Sequence, residues 1–312
     1  MKVYHSLDEF EKIENGVVTI GTFDGVHVGH QKIISSLNNL AKEKHGETIV
    51  FTLFPHPRMV LYPDDNDLKL ITTMDERIAL FEKYGIDHLI IHPFTKEFSR
   101  LSATEFVRDI LVNKIGTKTL VIGYDHRFGR HREGTFETLE EVAQLYDFDL
   151  IEILEQDVNN IAVSSTKIRN ALLAGDIATA NQFLGHDFEL TGTVIHGDKV
   201  GKSLGYPTAN MKIKDHYKLI PATGIYAVFV LVDDECYEGM LYIGNRPTLN
   251  GTKQSIEVNI LDFDKEIYGK MITVSLKYKV RDDMKLNSLD ELKQQIDKDK
   301  AMTIKLLSET YK

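Results

Sequence analysis

The chain has 312 residues, with 37 Lys plus Arg against 47 Asp plus Glu, which gives a formal net charge of −10. An acidic surface argues against a protein that coats nucleic acid or anionic membrane through general electrostatics. It does not exclude a pocket for a small polyanion, because such a pocket can be locally cationic. At roughly 100–200 residues per domain, the length predicts two domains.

The remaining composition narrows the cellular setting. Cys236 is the single cysteine, which excludes an internal disulfide and a cysteine-rich zinc site. The first residues lack the apolar segment of a secretory signal, and no apolar run reaches the roughly 18 residues of a membrane span. We therefore expect a cytoplasmic protein with no nucleic-acid or membrane partner.

Residues 1–184 alternate short apolar runs with helical patterns, which indicates βαβ units around a parallel sheet. The predicted strands are Val17–Gly21, Thr48–Leu53, His88–Ile91, Thr119–Gly123 and Leu150–Leu154. The predicted helices between them are Gln31–Lys44, Met74–Tyr84, Ala103–Asn113 and Thr135–Tyr146.

After Gly185, predicted strands follow one another without helices, which indicates an antiparallel sheet or small barrel. These strands are Glu189–Ile195, Ile225–Val232, Glu238–Ile243, Ser255–Leu261 and Met271–Val280. A final helix is predicted to begin at Ser288, where Ser-Leu-Asp-Glu has the spacing of a capping box. The change of pattern predicts a boundary near residues 184–187 and domains at 1–184 and 185–312.

A glycine-rich loop, Gly21-Thr-Phe-Asp-Gly-Val-His-Val-Gly-His30, joins the first predicted strand to a helix. Its glycines let the backbone approach a ligand, and the free N–H groups of a helix N-terminus favour an anion. His27 and His30 would share one helix face and could donate hydrogen bonds to phosphoryl oxygens. Two isolated structural histidines are the alternative, and a zinc site is less favoured because no third ligand lies nearby. The order strand, loop, H-x-G-H and helix favours a nucleotide site.

A second phosphate-binding candidate is Ser164-Ser-Thr-Lys-Ile-Arg169, directly before a helical pattern. Hydroxyl groups at a helix start, followed by Lys and Arg, can hold phosphate oxygens. Alone, this segment is typical of an N-capped surface helix. Together with H-x-G-H it predicts the second half of an ATP triphosphate site.

The β-rich part opens with a glycine-rich segment that ends in Pro207-Thr-Ala-Asn210. The triplet Gly201-Lys-Ser suggests a P-loop, but the first glycine of that motif would fall at His196, and Gly205 and Pro207 follow where a helix is required. Thr208 and Asn210 instead supply neutral oxygen atoms suited to Mg²⁺ that also binds ATP phosphates. A plain turn before a strand is the alternative.

These motifs resemble those of a known enzyme family. Residues 1–184 are similar to nucleotidyltransferases with H-x-G-H and S-S-T-x-I-R, and most of all to the FMN adenylyltransferase module of bacterial bifunctional riboflavin kinase/FAD synthetases. Supporting segments there are Phe54–Pro57, Phe98–Phe106 and Gly123–Gly129. Residues 192–210 resemble the flavokinase motif, and Gly224–Val228, Ile243–Thr248, Glu257–Phe263 and Arg281–Lys285 follow in the family's order. Four positions depart from the family pattern: Phe54 stands where an acidic residue is usual, His126 where Phe is common, Lys202 in place of Arg and Asn259 in place of a more usual His.

The resemblance implies an α/β Rossmann-like nucleotidyltransferase domain followed by an antiparallel β-barrel flavokinase domain with a C-terminal helix. It implies that riboflavin is phosphorylated by ATP to FMN, and that FMN then receives AMP from a second ATP, giving FAD and pyrophosphate. Mg²⁺ would accompany ATP. ATP, riboflavin and FMN are the implied partners, and the oligomeric state is open.

The resemblance also assigns roles to individual residues. Glu257 would be the general base of the kinase, and His27 and His30 would stabilise charge during adenylyl transfer. ATP contacts of the adenylyltransferase are implied for Gly21, Phe23, Asp24, Gly25, His27, His30, Ser164, Ser165, Thr166 and Arg169, and flavin contacts for Phe54, Asp125 and Phe128. In the kinase, ATP contacts are implied for Gly201, Lys202, Thr208 and Asn210, Mg²⁺ contacts for Thr208 and Asn210, and a flavin contact for Arg281.

Two other functions remain open at this point. A flavin-binding regulator of the same fold, with one or both active sites silent, would bind flavin without turnover, and the four departures are its support. A nucleotidyltransferase acting on another phosphorylated cofactor, such as a pantetheine or nicotinate nucleotide, is opposed by the flavokinase-like half. RNA binding has little support because the chain is acidic and has no Trp.

Overall fold

The computed structural model describes residues 1–64, 68–123, 127–153, 163–197, 201, 204–248, 251–286 and 288–309. Two compact units are present, Met1–Ser164 and Ser165–Lys312. The compact units thus meet between Ser164 and Ser165, earlier in the chain than the predicted boundary at 184–187. That boundary stays a prediction for the two functional modules.

The first unit is built around a parallel sheet, as the sequence predicts, and the sheet has six strands because β1 adds to the five predicted ones. Its strands and helices are β1 (Lys2–Tyr4), β2 (Gly16–Ile20), α1 (Val28–Glu43), β3 (Glu47–Phe54), α2 (Pro57–Leu61), α3 (Met74–Lys83), β4 (His88–Pro93), α4 (Ala103–Glu105) with a π-helix directly after it (Phe106–Ile115), β5 (Thr117–Gly123), α5 (Phe136–Tyr146) and β6 (Asp149–Ile153). The strand order is β1-β4-β3-β2-β5-β6, and all neighbouring strands run parallel.

Strand β2 lies at the centre of this sheet and is buried at all five positions. Val17 packs into the hydrophobic core on one face of the sheet and Val18 into the core on the other. The chain passes from β2 to β3 and β4 on one side, then returns to β5 on the other side. Open parallel sheets bind ligands beyond the carboxyl ends of the strands at such a switch point, and the Gly21–His30 loop begins there.

The described part of the second unit contains a closed antiparallel barrel together with α-helices. Its elements are α6 (Ser165–Ala174), α7 (Ile177–Leu184), β7 (Phe188–Ile195), β8 (Ala209–Lys212), β9 (Gly224–Val232), β10 (Glu235–Thr248), β11 (Gly251–Ile260), β12 (Met271–Arg281) and α8 (Leu289–Ser308). The strand order around the barrel is β10-β11-β8-β7-β12-β9. Ser288 caps α8 by accepting a hydrogen bond from the backbone N–H of Glu291 at 3.1 Å. The predicted barrel and C-terminal helix are confirmed.

Strand β8 completes the barrel and was not predicted. It pairs with β11 through Ala209 and Asn210, and with β7 through Asn210, Met211 and Lys212. Four residues are too few to show a period-two pattern, and the preceding Pro207 is typical of a turn. None of the helices in the described part of the chain has the length and apolar character needed to cross a bilayer.

Candidate active sites

The loop after β2 enters α1 in a strained conformation. Phe23 and Val26 have φ angles of 47° and 38°, in the left-handed region that a β-branched residue such as Val rarely adopts. Both side chains are buried, with 2% and 0% of their surface exposed. Backbone strain of this kind persists only where surrounding contacts impose it, and it is common at functional sites.

His27 and His30 meet at the N-terminus of α1. His27 is the N-cap, and its Nδ1 accepts a hydrogen bond from the backbone N–H of His30 at 3.4 Å. The two imidazole rings stack with centroids 3.6 Å apart, and His30 also packs against the ring of Phe23 at 5.0 Å. An accepting Nδ1 places the proton of neutral His27 on Nε2. The structure therefore brings the two predicted histidines together beside the free N–H groups of a helix.

The surroundings of His30 favour the neutral form of its imidazole. Its Nδ1 atom is buried and has no hydrogen-bond partner among the described residues. Burial lowers the pKa of His30 well below its usual range, and the charges of His27 and Arg77 lower it further. A neutral imidazole still carries one N–H donor, which suits it to bind a phosphoryl oxygen as negative charge develops there.

The replacement His30→Gln is expected to flatten the acid side of the stability profile of the first unit. Because the pKa of His30 is lower in the folded state, the unfolded state binds more protons below about pH 6.5, and wild-type stability falls as the pH falls. One histidine contributes at most about 1.4 kcal/mol per pH unit. Hydrogen exchange of the β2 and β3 amides, followed from about pH 7 to pH 5, measures the free energy of opening. Parallel profiles for the two proteins would contradict the neutral assignment.

Asp24 is placed differently from its predicted role as an ATP contact. Its side chain faces the interior with 1% exposure. Its two carboxylate oxygens accept hydrogen bonds from the backbone N–H groups of Ile71 and Thr72, each at 3.1 Å. Direct contact with ATP has no support in this geometry, because the carboxylate is turned toward α3.

The other predicted ATP contacts divide between the two compact units. Gly21 and Gly25 belong to the strained loop, and the N–H of Gly21 donates to the carbonyl of Phe51 at 3.1 Å. Ser164 is the last residue of the first unit, whereas Ser165, Thr166 and Arg169 belong to the second, at the start of α6. Their approach to the histidines stays a prediction.

Two of the predicted flavin contacts, Phe54 and Phe128, lie near an aromatic cluster that sequence reasoning did not assemble. Phe128 is 8% exposed, and its ring centroid lies 5.8 Å from that of Phe106. Phe98 lies 4.9 Å from His92 and 6.0 Å from Phe94. Aromatic residues at the carboxyl end of β4 were the available signal. Flavin contacts of Phe54, at the end of β3, and of Phe128 stay predictions, and Asp125 and His126 lie outside the described residues.

A cleft of about 650 Å³ lies at the opposite, amino-terminal edge of the same sheet. Its lining includes Lys44 and Asp149, which form an ion pair at 2.5 Å. These two charges neutralise each other, and parallel sheets bind ligands at the carboxyl ends of their strands, so the candidate site remains the edge with the histidines.

In the barrel, Glu257 lies on β11 directly across from Asn210 on β8. The hydroxyl of Thr208 donates to Glu257 Oε2 at 3.2 Å, and that of Ser255 donates to Oε1 at 2.8 Å. The structure therefore brings together Thr208, Asn210 and Glu257, which sequence reasoning singled out. Ser255 was missed, although its separation of two residues places it on the same strand face as Glu257.

The side chain of Asn259 is bonded to the backbone of the Pro207–Asn210 motif. It is 5% exposed, and its Nδ2 donates to the carbonyl of Pro207 at 2.7 Å. Gly197 and Gly201 leave room for the same segment. A Cβ at Gly197 would lie 2.2 Å from the side-chain nitrogen of Asn210, and one at Gly201 would lie 2.3 Å from the carbonyl oxygen of Tyr206. Glycine at both positions therefore allows the chain at Gly197 and Gly201 to lie this close to Asn210 and Tyr206.

Arg281 is placed differently from its predicted role as a flavin contact. Its Nε and Nη2 atoms donate to Asp299 at 2.9 and 2.8 Å, and Nη1 donates to the carbonyl of Asp282. This bidentate pair connects β12 to α8, so the geometry gives no support to a flavin contact by the guanidinium group. Tyr206 donates to Asp297 on α8, and this hydrogen bond raises the pKa of Tyr206 to about 12. Lys202 lies outside the described residues.

Comparisons with known proteins cover both halves of the chain. A family model for FAD synthetase matches residues 9–167, and one for riboflavin kinase matches residues 184–307. The bifunctional riboflavin kinase/FMN adenylyltransferase of Escherichia coli K12 is 36% identical over 296 residues, covering 95% of this chain and 93% of the relative. The chain belongs to the bifunctional riboflavin kinase/FMN adenylyltransferase family. The enzyme of the same name from Bacillus subtilis is also 36% identical, over 97% of this chain and 96% of its own.

Family membership confirms the predicted enzyme classes, a kinase joined to a nucleotidyltransferase in FAD biosynthesis. A crystal structure of a protein from Streptococcus pneumoniae, named as a macrolide-efflux protein, is similar to this chain with a TM-score of 0.87 and 31% identity. The match covers 97% of this chain and 98% of the other. It supports the fold along the whole chain, and the named activity concerns the other protein.

Proposed function

We propose that the chain makes FAD in two ATP-dependent steps carried out by separate sites. The barrel transfers the γ-phosphoryl group of ATP to riboflavin, giving FMN and ADP. The parallel-sheet unit transfers AMP from a second ATP to FMN, giving FAD and pyrophosphate. The observation that carries the proposal is the Glu257 carboxylate, oriented by two hydroxyl groups and facing the Thr208–Asn210 motif.

For the kinase step, Glu257 accepts the proton of the ribityl 5′-hydroxyl as that oxygen attacks the γ-phosphorus. Phosphoryl transfer demands mainly positioning and charge stabilisation, and a fixed carboxylate contributes by orienting the attacking hydroxyl and accepting its proton. Ser255 and Thr208 supply this fixation because each hydroxyl holds one carboxylate oxygen.

Mg²⁺ belongs to the same proposal, with Thr208 and Asn210 as its protein ligands. Within the described ranges, no group of three or more His, Cys, Asp or Glu residues could hold a metal ion. Two neutral oxygen ligands fit a Mg²⁺ ion that also binds ATP phosphates and retains water. The amide of Asn210 packs closely against Gly197, and its backbone pairs with that of Glu257 on β11. When bound, the ion would neutralise charge on the transferred phosphoryl group.

For the adenylyl step, a phosphate oxygen of FMN attacks the α-phosphorus of ATP and pyrophosphate leaves. His27, His30 and the N-terminus of α1 stabilise charge on the phosphoryl oxygens, with the proposed help of Arg169. Neutral His30 donates its one N–H without first requiring a proton from solvent. A cytoplasmic location, where both substrates occur, completes the proposal.

The test is incubation of the purified protein with riboflavin and Mg-ATP, followed by chromatographic separation of riboflavin, FMN and FAD. We expect FMN first and FAD later, and neither product when EDTA replaces Mg²⁺. Flavin binding without either product would overturn the proposal and favour the regulator. Conversion of supplied FMN without riboflavin phosphorylation would restrict the proposal to the first unit.

A further inference from the structure

Arg77 is the largest fully buried side chain among the described residues, with 1% exposure. It lies on α3, outside every motif that the sequence singles out. Burying a guanidinium group is costly unless it is paired and hydrogen-bonded. The guanidinium group is therefore stable there only through the contacts that it makes with the strained loop and with the start of α3.

The contacts of Arg77 reach the loop and the start of α3 together. Its Nη1 donates to the carbonyl of Thr22 at 2.8 Å, and its Nη2 donates to the carbonyl of Thr72 at 3.3 Å. Nη2 also lies 3.5 Å from Asp24 Oδ1, and these two side chains are 1% and 2% exposed. Both members of the Arg77–Asp24 pair are therefore shielded from solvent.

Thr72 completes the connection through a single hydroxyl group. Its Oγ1 accepts from the backbone N–H of Gly25 at 3.0 Å and from Arg77 Nε at 3.3 Å. The same hydroxyl donates to Asp24 Oδ1 at 3.3 Å. One donor and two acceptor positions are all used, which is the full capacity of a hydroxyl.

The start of α3, to which the loop is bound, is itself rigid. Thr73 and Glu76 form a capping box there, with hydrogen bonds of 2.9 and 3.1 Å. The carboxylate of Asp24 also fixes the two residues before the cap, Ile71 and Thr72. Three buried side chains, Arg77, Asp24 and Thr72, therefore clamp loop residues 22–25 to the first turn of α3. We call this set the loop clamp.

The loop clamp acts where the backbone is under strain. Phe23 and Val26, at φ 47° and 38°, lie within or directly after the clamped residues, and His27 follows as the N-cap of α1. Without the clamp the loop would relax toward ordinary φ values, and the histidines and N–H donors would move. A misplacement of about 1 Å at a reacting centre costs roughly 100-fold in rate.

We propose that Arg77 is a positioning residue for adenylyl transfer, acting through the loop clamp to fix the geometry of the phosphate-binding loop. The inference rests on the proposed adenylyl transfer at His27 and His30. The clamp also contributes to the charge around His30, because Arg77 from α3 lowers the pKa of that imidazole together with burial and with His27 from its own loop. The Arg77 cation there favours the neutral imidazole.

Arg77→Lys, Arg77→Met and Thr72→Val separate geometry from charge. Lys keeps the cation without the planar fork, Met removes both, and Val removes only the hydroxyl at nearly constant volume. We expect each variant to lower kcat for FMN adenylylation by roughly 100-fold, with KM for ATP and FMN changed less than about threefold. In Arg77→Met the acid limb of the rate profile should move to higher pH, whereas in Arg77→Lys it should stay.

Two controls accompany these variants. Riboflavin phosphorylation by the same molecules serves as the internal control. Lys114→Met, which breaks an exposed pair with Asp8, serves as the matched control.

Hydrogen exchange supplies a readout that does not depend on turnover. The amides of Gly25 and His30 should exchange faster in Thr72→Val, while those of β2 and β3 stay protected. If wild type makes no FAD, the proposed function fails and exchange alone decides on the clamp, with unchanged protection overturning it. If wild type makes FAD, an adenylylation kcat within twofold of wild type in both Thr72→Val and Arg77→Lys overturns the inference. Should Arg77→Met fail to fold, those two variants still decide it.

Discussion

Replacing Glu257 with Gln is expected to abolish FMN formation while conversion of supplied FMN to FAD continues. Gln keeps the shape and can still pair with Thr208 and Ser255, but it cannot accept the proton of the ribityl hydroxyl. General-base catalysis contributes about 10²–10⁴-fold in rate, so riboflavin phosphorylation should fall by about that factor. Chromatography of products from riboflavin and, separately, from FMN measures both steps in one preparation.

Glu189→Gln is the matched control for this change. Glu189 is exposed on β7 and accepts a hydrogen bond from the hydroxyl of Ser275 at 3.0 Å. Like Glu257 it therefore has a serine partner, but a different one, and this pair does not involve Pro207–Asn210. We expect both activities of this variant to stay within twofold of wild type. A Glu257→Gln protein that still phosphorylates riboflavin at the wild-type rate would remove Glu257 from the mechanism.

Replacing His30 with Ala is expected to leave riboflavin phosphorylation intact and to stop the pathway at FMN. The loss of one donor to a developing phosphoryl charge costs about 10²–10³-fold in kcat. The stacked ring of His27 also loses its partner, which adds to the loss. Time courses from riboflavin should show FMN accumulating without FAD.

His45→Ala, an exposed histidine just beyond α1, is the control for His30→Ala and should form FAD normally. If His30→Ala stopped both reactions while β2, β3 and the barrel strands kept their exchange protection, the division into two independent sites would be wrong. Loss of the kinase step alone would place His30 at the other site.

The fold was largely predictable because the main signals are local. Runs such as Thr119–Gly123 are apolar on both faces, and this is required of a strand covered by helices on both sides. The alternation from Met271 onward likewise follows from a strand with one buried face. β1 and β8 were missed because three and four residues carry no usable period, and their pairing partners are distant in sequence.

The candidate sites were predictable where residues act near their own motif. His27, His30 and Thr208 lie in contiguous motifs, and Glu257 stands on a recognisable strand. For Asp24 the partners Ile71 and Thr72 lie 47 and 48 residues away, so only the folded chain shows that the carboxylate turns inward, and its ATP contact stays a prediction. The pairing of Arg281 was hidden for the same reason, since Asp299 is 18 residues further on, and its flavin contact stays a prediction. No local pattern marks Arg77 as buried.

The short strand β8 has an evolutionary consequence. It joins β7 to β11 and so closes the barrel, and Asn210 and the preceding Thr208 belong to the same stretch of chain. Selection for an intact barrel and selection for phosphoryl transfer therefore act on the same few positions. The ladder hydrogen bonds of β8 are formed by the backbone and not by side chains, so barrel closure constrains the path of this stretch, whereas the proposed Mg²⁺ ligation constrains its side chains.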